Sequence, residues 1–295
     1  MELRQLRCVV AVAEELHFGR AARRLHMSQA PLSAQIKRIE RELGHPLFER
    51  TTRSVRLTTV GTEFYRRATE ILGRVDEATA DLERVAAGYA GTLRVGFVSS
   101  ASYSVLPHAV RRLRETAPDL RVDLVPLTSA EQGDRLHEGS LDIGLVRGEG
   151  GAGDLPHERL FEEEIVACLP SDHPLAEHEV LTPEQLAVEE LIFFPARDIP
   201  GFVAEIRPIF DGLAFPRIRA RVVHQETALG FVAAGMGFTL LPHSVAAFVP
   251  AAVRVRRLAS RPTTVMCLAH PPRSSPAARL FRRALLQAVA ASPAR

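Results

Sequence analysis

Three apolar runs between residues 93 and 147 end in side chains suited to holding an anion. LRVGFV is followed by Ser99 and Ser100, RVDLVPL by Thr128 and Ser129, and LDIGLVR closes on Arg147. In alternating strand–helix folds, small ligands lie outside the carboxyl ends of strands, close to helix N-termini. Three consecutive strand ends that offer hydroxyls and one guanidinium suit a carboxylate.

Catalytic patterns are missing from the sequence. It has no nucleophile elbow, no His-Glu-x-x-His and no phosphate loop. His157, His173 and His178 lack ligand spacing, so no metal or cofactor is expected and the chain does not read as an enzyme. Glu162, Glu163 and Glu164 read as a solvated run at a strand entrance. Cys8, Cys168 and Cys267 are odd in number and far apart, which argues against a disulfide framework or a zinc site. Core packing is the simplest use for all three, but Cys168 and Cys267 lie in apolar strands and a redox pair stays open.

A second chemistry lies near the N-terminus. In SQAPLSAQIKRIERELG, Leu32, Ile36, Ile39 and Leu43 fall on one helical face, with Lys37, Arg38 and Arg41 on or near the other. Pro31 fits in the first helical turn, where amides have no intrahelical acceptor. It also disfavours the helical conformation at Ala30, so the helix starts between Ser28 and Pro31. Residues 1–60 hold 11 Arg/Lys against 6 Asp/Glu, and the remaining residues 26 against 29. A basic first segment on a mildly acidic remainder points to an anionic partner for that segment.

The surrounding patterns supply the elements that must position these groups. Leu3, Leu6, Val10 and Ala13 mark one helix, and Phe18, Ala21, Ala22 and Leu25 a second. With a tight connection at His26-Met27 before the Ser28 helix, they form a helix-turn-helix. HPLFERTTRSVRLTTVG reads as a β-hairpin wing. Phe64, Ala68, Ile71, Val75, Ala78, Leu82 and Val85 then alternate spacings of four and three, a heptad seam suited to dimerisation. That helix runs from about Thr59 to Ala87 and is roughly 45 Å long. Beyond GYAG, strands and helices alternate, which implies parallel-rich sheets covered by helices, as one large sheet or two lobes. Thr182, Pro183 and Gln185 form a helix-start signal. No apolar run reaches the roughly 18 residues of a membrane span. The first residues make a poor signal peptide, so a cytoplasmic protein is expected.

FGRAARRLHMSQAPLSAQIKRIERELGHPLFERTTRSVRLTTVG, SDHPLA and ALGFVAAGMGFTLLP resemble the LysR-type transcriptional regulator family, in order and across the whole chain. The resemblance implies α/β architecture with an all-α N-terminal part: a winged helix-turn-helix, a long linker helix and a two-lobed effector domain like a periplasmic binding protein. The expected domains are 1–58 for DNA, 59–88 for dimerisation, 92–166 plus 268–295 for lobe I, and 167–267 for lobe II. The expected partners are double-stranded DNA, a small-molecule effector, RNA polymerase, and further copies in a homodimer that assembles to a homotetramer.

In a helix-turn-helix the first turn of the second helix meets base edges. That places Gln29 on adenine and Ala30 with Pro31 on a thymine methyl. Ser33 and Lys37 suit phosphates, Ser28 either a helix cap or DNA, and Arg50 and Arg53 in the wing backbone or minor groove. Ala34 stands where many family members have a longer polar residue. In the effector domain, Phe202 and the Gln225, Glu226 and Thr227 run are expected to face the cleft of Ser99, Ser100, Thr128 and Arg147. Ser99, Thr128, Arg147 and Phe202 together resemble members that sense muconate or aromatic carboxylates. A periplasmic-type solute-binding protein, a thiol-based redox regulator and an α/β enzyme are the alternatives.

Overall fold

Helix α1 (Leu3–Glu15) buries Leu6, Val9, Val12 and their neighbours on one face. It ends at Leu16, whose φ is 46°. The His17 ring then caps α2 (Phe18–Arg24) by accepting from the Gly19 and Arg20 amides at 3.0 and 3.3 Å. Helix α3 (Gln29–Leu43) inserts Leu32, Ile36 and Ile39 fully into the core against Val9, Val12, Ala21 and Leu47, and Gly44 at φ 73° ends it. Pro31 is the third residue of α3, as its missing amide proton allows. The wing is an antiparallel pair, β1 (Phe48–Arg50) with β2 (Val55–Leu57), in the register Phe48 opposite Leu57. The computed structural model describes residues 1–50 and 54–291.

Helix α4 (Thr59–Ala86) follows at once. Thr58 donates its hydroxyl to the Pro46 carbonyl at 2.8 Å and accepts from the Gly61 amide at 2.9 Å. A Cβ at Gly61 would lie 2.0 Å from the Leu47 carbonyl oxygen, so only glycine lets α4 start this close to the wing. The 28 residues of α4 span about 42 Å. Its expected seam divides in two. Phe64 packs on the core of α1–α3 and Ala68 is 1 % exposed, so these two are used within their own chain. Ile71, Leu82 and Val85 are 46, 71 and 52 % exposed. Val75 is half-buried and Ala78 exposed.

The chain divides into two compact units, Met1–Glu83 and Arg84–Arg295. The second unit opens with β3 (Ala90–Phe97), α5 (Ser99–Ser102), α6 (Leu106–Thr116), β4 (Asp119–Pro126), α7 (Ser129–His137) and β5 (Ile143–Arg147). Strands β4, β3 and β5 pair in parallel. Next come β6 (His157–Pro170), β7 (Val180–Leu181), α8 (Pro183–Ala187), β8 (Glu190–Phe193) and α9 (Pro200–Ile206). The rest is β9 (Arg217–Arg221), α10 (Gln225–Ala233), β10 (Thr239–Pro242), β11 (Val253–Leu258), β12 (Thr263–Ala269) and α11 (Pro276–Ala291). Thr182 and Gln185 form a capping box at α8, as their spacing requires. His173 caps the 3-10 turn Pro174–Glu177.

Two lobes share β6. Its first half pairs antiparallel with β12, up to Glu164 opposite Thr263. From Ile165 it runs between β10 and β11, antiparallel to both. One apolar core gathers β3, β5, α6 and α11 around Leu93, Leu145, Leu113 and Phe281. The other gathers β6, β8, α9 and α10 around Val166, Ile192, Ile206 and Phe238. The sheets are therefore less parallel than alternation suggests. The strand that leaves one lobe and the strand that returns to it run in opposite senses, so the pairings on β6 are antiparallel.

Candidate DNA-reading face and effector cleft

Helix α3 presents Ser28, Gln29, Ala30, Pro31, Ala34 and Lys37 to solvent, while Leu32, Ile36 and Ile39 anchor its other side. Ser28 occupies the N-cap position, but its side chain makes no cap hydrogen bond. The Lys37 ammonium has no hydrogen bond or ion pair among the described residues, whereas Arg38 pairs with Glu42 at 2.8 Å and Arg41 Nε donates to the Lys37 carbonyl at 3.3 Å. The accessible first turn thus carries Gln29 and Ala30, with Lys37 two turns on.

The wing departs from expectation. Arg50 Nη2 donates to Glu40 Oε2 at 2.9 Å, Nη1 reaches the half-buried Ser33 Oγ at 3.4 Å, and the guanidinium lies 4.6 Å from the Phe18 ring centre. The other Glu40 oxygen accepts from the Leu47 and Phe48 amides at 3.0 and 3.1 Å. Arg50 and Ser33 are therefore occupied in fixing the wing on α3, with Glu40 as the buckle. Its spacing of seven and eight residues to Leu47 and Phe48 gave no local signal. Arg53 lies outside the described residues. Arg56 on β2 is exposed and unpaired among those described.

In the second unit a cleft opens at the ends of β3, β4 and β5. Ser99, Ser100, Thr128, Arg147 and Phe202 line it, joined by Phe194, His224 and Gln225. The three strand ends flagged by sequence thus meet in one place. Thr128 caps α7: its hydroxyl accepts from the Glu131 amide, and the Glu131 carboxylate accepts from the Thr128 amide at 2.9 Å. That backbone bond holds the Glu131 carboxyl below its usual range. Ser100 Oγ accepts from Arg147 Nη2 at 2.8 Å and Nε at 3.3 Å, which leaves its own proton to give. Phe202 stands 5.9 Å from the Phe194 ring and is buried.

Arg147 is 2 % exposed. Burial pushes its pKa down, and the charge of Glu163 opposes that. Arg147 Nη2 lies 2.9 Å from Glu163 Oε1, while Glu163 Oε2 accepts from the Ser244 amide at 2.7 Å. Among the described residues Arg147 Nη1 has no hydrogen-bond partner, and Gln225 Nε2, buried beside the Tyr103 hydroxyl, makes no hydrogen bond of good geometry. A buried polar atom without a partner carries its full desolvation cost, so both nitrogens are suited to an acceptor supplied by a ligand. About 50 Å³ stands free in the cleft.

Three expectations fail here. Glu163 is not solvated: it is 6 % exposed and paired with Arg147. Alternation along β6 sets positions 161, 163 and 165 on one face, and apolar Phe161 and Ile165 were the signal that Glu163 points inward. Thr227 is exposed and does not line the cleft, because two residues of helix turn it away from the face of Gln225. Glu226 does not line it either; its carboxylate is held by Ser99 and Tyr103. The cysteines take the core packing expected as their simplest use, and the redox alternative finds no pairing geometry. Cys168 lies in the core of β6, β8 and α10, Cys267 in a separate cluster with Val146 and Leu155, and Cys267 sits opposite Arg159, nine residues along β6 from Cys168. Burial pushes their thiols up to about 12 and about 11, away from the reactive thiolate.

A winged helix-turn-helix together with a two-lobed ligand cleft defines a DNA-binding regulator that senses a small molecule. Residues 3–62 match the family described as bacterial regulatory helix-turn-helix protein, lysR family, and residues 86–290 match the LysR substrate binding domain. The chain belongs to the LysR family of transcriptional regulators. It is 39 % identical to the uncharacterized HTH-type transcriptional regulator YnfL of Escherichia coli over 98 % of this chain and 99 % of that one. It is 40 % identical to the probable cat1 operon transcriptional activator of Acinetobacter lwoffii, covering 83 % of this chain and 81 % of that one. The crystal structure of CbnR, a LysR family transcriptional regulator, superposes with a TM-score of 0.80 at 28 % identity, covering 97 % of this chain and 100 % of that one. Full-length CbnR has also been solved in complex with its target DNA, and matches with a TM-score of 0.77 at 28 % identity over 98 % of this chain and 100 % of that one.

Proposed function

We propose that this LysR-type regulator responds to a small carboxylate bound between its lobes. The observation that carries the reading is the unpartnered Nη1 of buried Arg147 at the cleft, backed by the Ser100 hydroxyl and Gln225 Nε2. A carboxylate supplies two acceptor oxygens to such donors without displacing Glu163. The free volume of about 50 Å³ is small beside the roughly 300–1,000 Å³ of pockets that enclose drug-sized ligands. A two- or three-carbon acid fits the cleft as it stands, and an aromatic acid or muconate must part the lobes. The relative named for the cat1 operon keeps acids of aromatic catabolism among the candidates.

The division of labour follows the elements. Residues 1–58 read double-stranded DNA, with Gln29, Ala30 and Pro31 at base edges, Ser28 and Lys37 on the backbone, and Arg56 as the wing cation. Residues 59–88 join two copies through Ile71, Val75, Ala78 and Leu82, and dimers pair to tetramers. Lobe I, expected as 92–166 with 268–295 but taking in all of β12 from Thr263 and leaving β6 at Glu164, and lobe II, expected as 167–267, hold the effector, which favours one lobe arrangement and so changes how paired heads and RNA polymerase meet the promoter. The protein acts in the cytoplasm, where the chromosome is, and performs no catalysis. Among the described residues no helix is long and apolar enough to cross a membrane.

Calorimetric titration of the full-length protein with acetate, benzoate and cis,cis-muconate tests the effector class. Saturable binding of at least one acid, with its neutral amide silent, is expected. No heat with any acid overturns it.

A further inference from the structure

Glu226 sits in the first turn of α10, next to the cleft-lining Gln225. Its carboxylate reaches across to the other lobe. Oε2 accepts from the Ser99 hydroxyl at 3.2 Å, and Oε1 accepts from the Tyr103 hydroxyl at 2.8 Å. Tyr103 is pressed from its other side by Phe248, with ring centres 4.5 Å apart and planes 23° off parallel. Phe248 is itself 55 % exposed, so the stack stands at the surface of the domain. Ser99 opens α5 and Tyr103 follows it; Glu226 and Phe248 belong to the segments that pack on the second core. At this edge one carboxylate and one ring stack cross between the lobes. Burial, and then the Glu226 hydrogen bond, pushes the Tyr103 hydroxyl up to about 12, so it stays a donor.

Ser99 is one of the hydroxyls that line the cleft, and its proton is already given to a carboxylate of the protein's own. A ligand carboxylate that needs Ser99 must take that proton from Glu226, and it brings a second negative charge next to the first. Two carboxylates cannot share one hydroxyl proton, and like charges at close range repel.

We propose that Glu226 is a built-in competitor for the effector's carboxylate. In the empty protein it occupies Ser99 and fastens the lobes through Tyr103. A bound acid takes Ser99 and expels Glu226, and the clasp on Tyr103 opens with it. Glu226 thereby sets both the affinity for acids and the step that couples binding to lobe movement, since a ligand shifts a conformational equilibrium only by its differential interaction with the two states. The inference rests on the carboxylate reading of the cleft.

The test uses the full-length protein and its Glu226→Gln, Glu226→Ala and Tyr103→Phe variants. Each is titrated with acetate, benzoate and cis,cis-muconate, and with acetamide and benzamide as neutral counterparts. The chain has no tryptophan and three tyrosines, so the tyrosine emission lost in Tyr103→Phe is the share that reports on Tyr103. Glu226→Gln removes the charge and keeps one oxygen to accept from one hydroxyl, while its amide nitrogen donates to the other. It is expected to bind the acids about two- to fivefold more tightly than wild type, the size of one charge interaction near a surface, with the amides unchanged. Acid binding is expected to change tyrosine emission in wild type but not in Tyr103→Phe, and much less in Glu226→Ala. Equal acid affinity in wild type and Glu226→Gln overturns the competitor role and leaves the carboxylate effector standing. Tightening that extends equally to the amides gives Glu226 a structural role only and overturns it too. Acids that bind neither form overturn the cleft reading and the competitor with it.

Discussion

Arg147 Nη2 meets Glu163 Oε1 at 2.9 Å with side chains only 3 and 6 % exposed, the arginine at the end of β5 and the glutamate on β6 just before that strand changes lobe. The pair joins the cleft to the crossing, because the second Glu163 oxygen holds the Ser244 amide beyond it. Replacing one partner leaves a buried charge without its counter-ion. Glu163→Leu is therefore expected to lower stability by about 3–5 kcal/mol in urea unfolding, and Arg147→Met with Glu163→Leu to recover most of that loss. The same double variant should lose acid binding while keeping its fold.

Gln29 in the exposed first turn of α3 and exposed Lys37 two turns on are expected to make two kinds of DNA contact. Gln29→Ala is expected to weaken operator binding by about 1–3 kcal/mol with little effect on scrambled duplex. Lys37→Ala should weaken both alike and reduce the salt slope by about 1. Binding curves on both duplexes at several salt concentrations check this. Equal losses on both for Gln29→Ala would remove its base-reading role.

The divided seam of α4 gives opposite outcomes for its two halves. Leu82→Glu places a charge on an exposed apolar position and is expected to weaken self-association about tenfold or more in sedimentation velocity. Phe64→Ala should leave the association constant near wild type. Its cost falls on the helix-turn-helix core, as about 1–3 kcal/mol of stability for a half-buried ring.

Glu205 on α9 carries a pH signature. Burial raises its pKa above the ordinary carboxylate value of 4.5, although its carboxylate accepts from the Thr264 hydroxyl and, at 3.2 Å, from the Val265 amide. A carboxyl whose folded pKa exceeds its unfolded one favours folding fully below the unfolded value, and that contribution is lost as pH rises through the folded value. Glu205→Gln is always neutral and keeps both partners. Its melting temperature is expected to exceed wild type near pH 7 and to converge with it below about pH 4. A gap that widens toward acid would contradict the burial argument.

Local patterns carried far into this structure. The period of Leu32, Ile36 and Ile39 was sufficient for α3, Gly44 for its end, and the Thr182–Gln185 spacing for the start of α8, because each depends on neighbours within one or two turns. The convergence of Ser99, Thr128 and Arg147 was legible as well, since consecutive parallel strands bring their carboxyl ends to one edge. The antiparallel pairing of β6 was not, because nothing within fourteen residues of strand states where its partners come from.

Read alone, the chain specifies that a basic helix-turn-helix head precedes an α/β domain and that hydroxyls and an arginine meet at the ends of three strands. These follow from periodicity, caps and composition, which act over short stretches of chain. How each charge is used depends on the folded chain. Arg50 is spent on Glu40 and Ser33, Glu163 turns inward to Arg147, Glu226 crosses to Ser99 and Tyr103, and Cys168 and Cys267 enter separate cores. Apart from Glu163, whose inward turn alternation along β6 signalled, such choices are set by groups brought together from distant parts of the chain, where desolvation makes an unpaired charge too costly to leave alone.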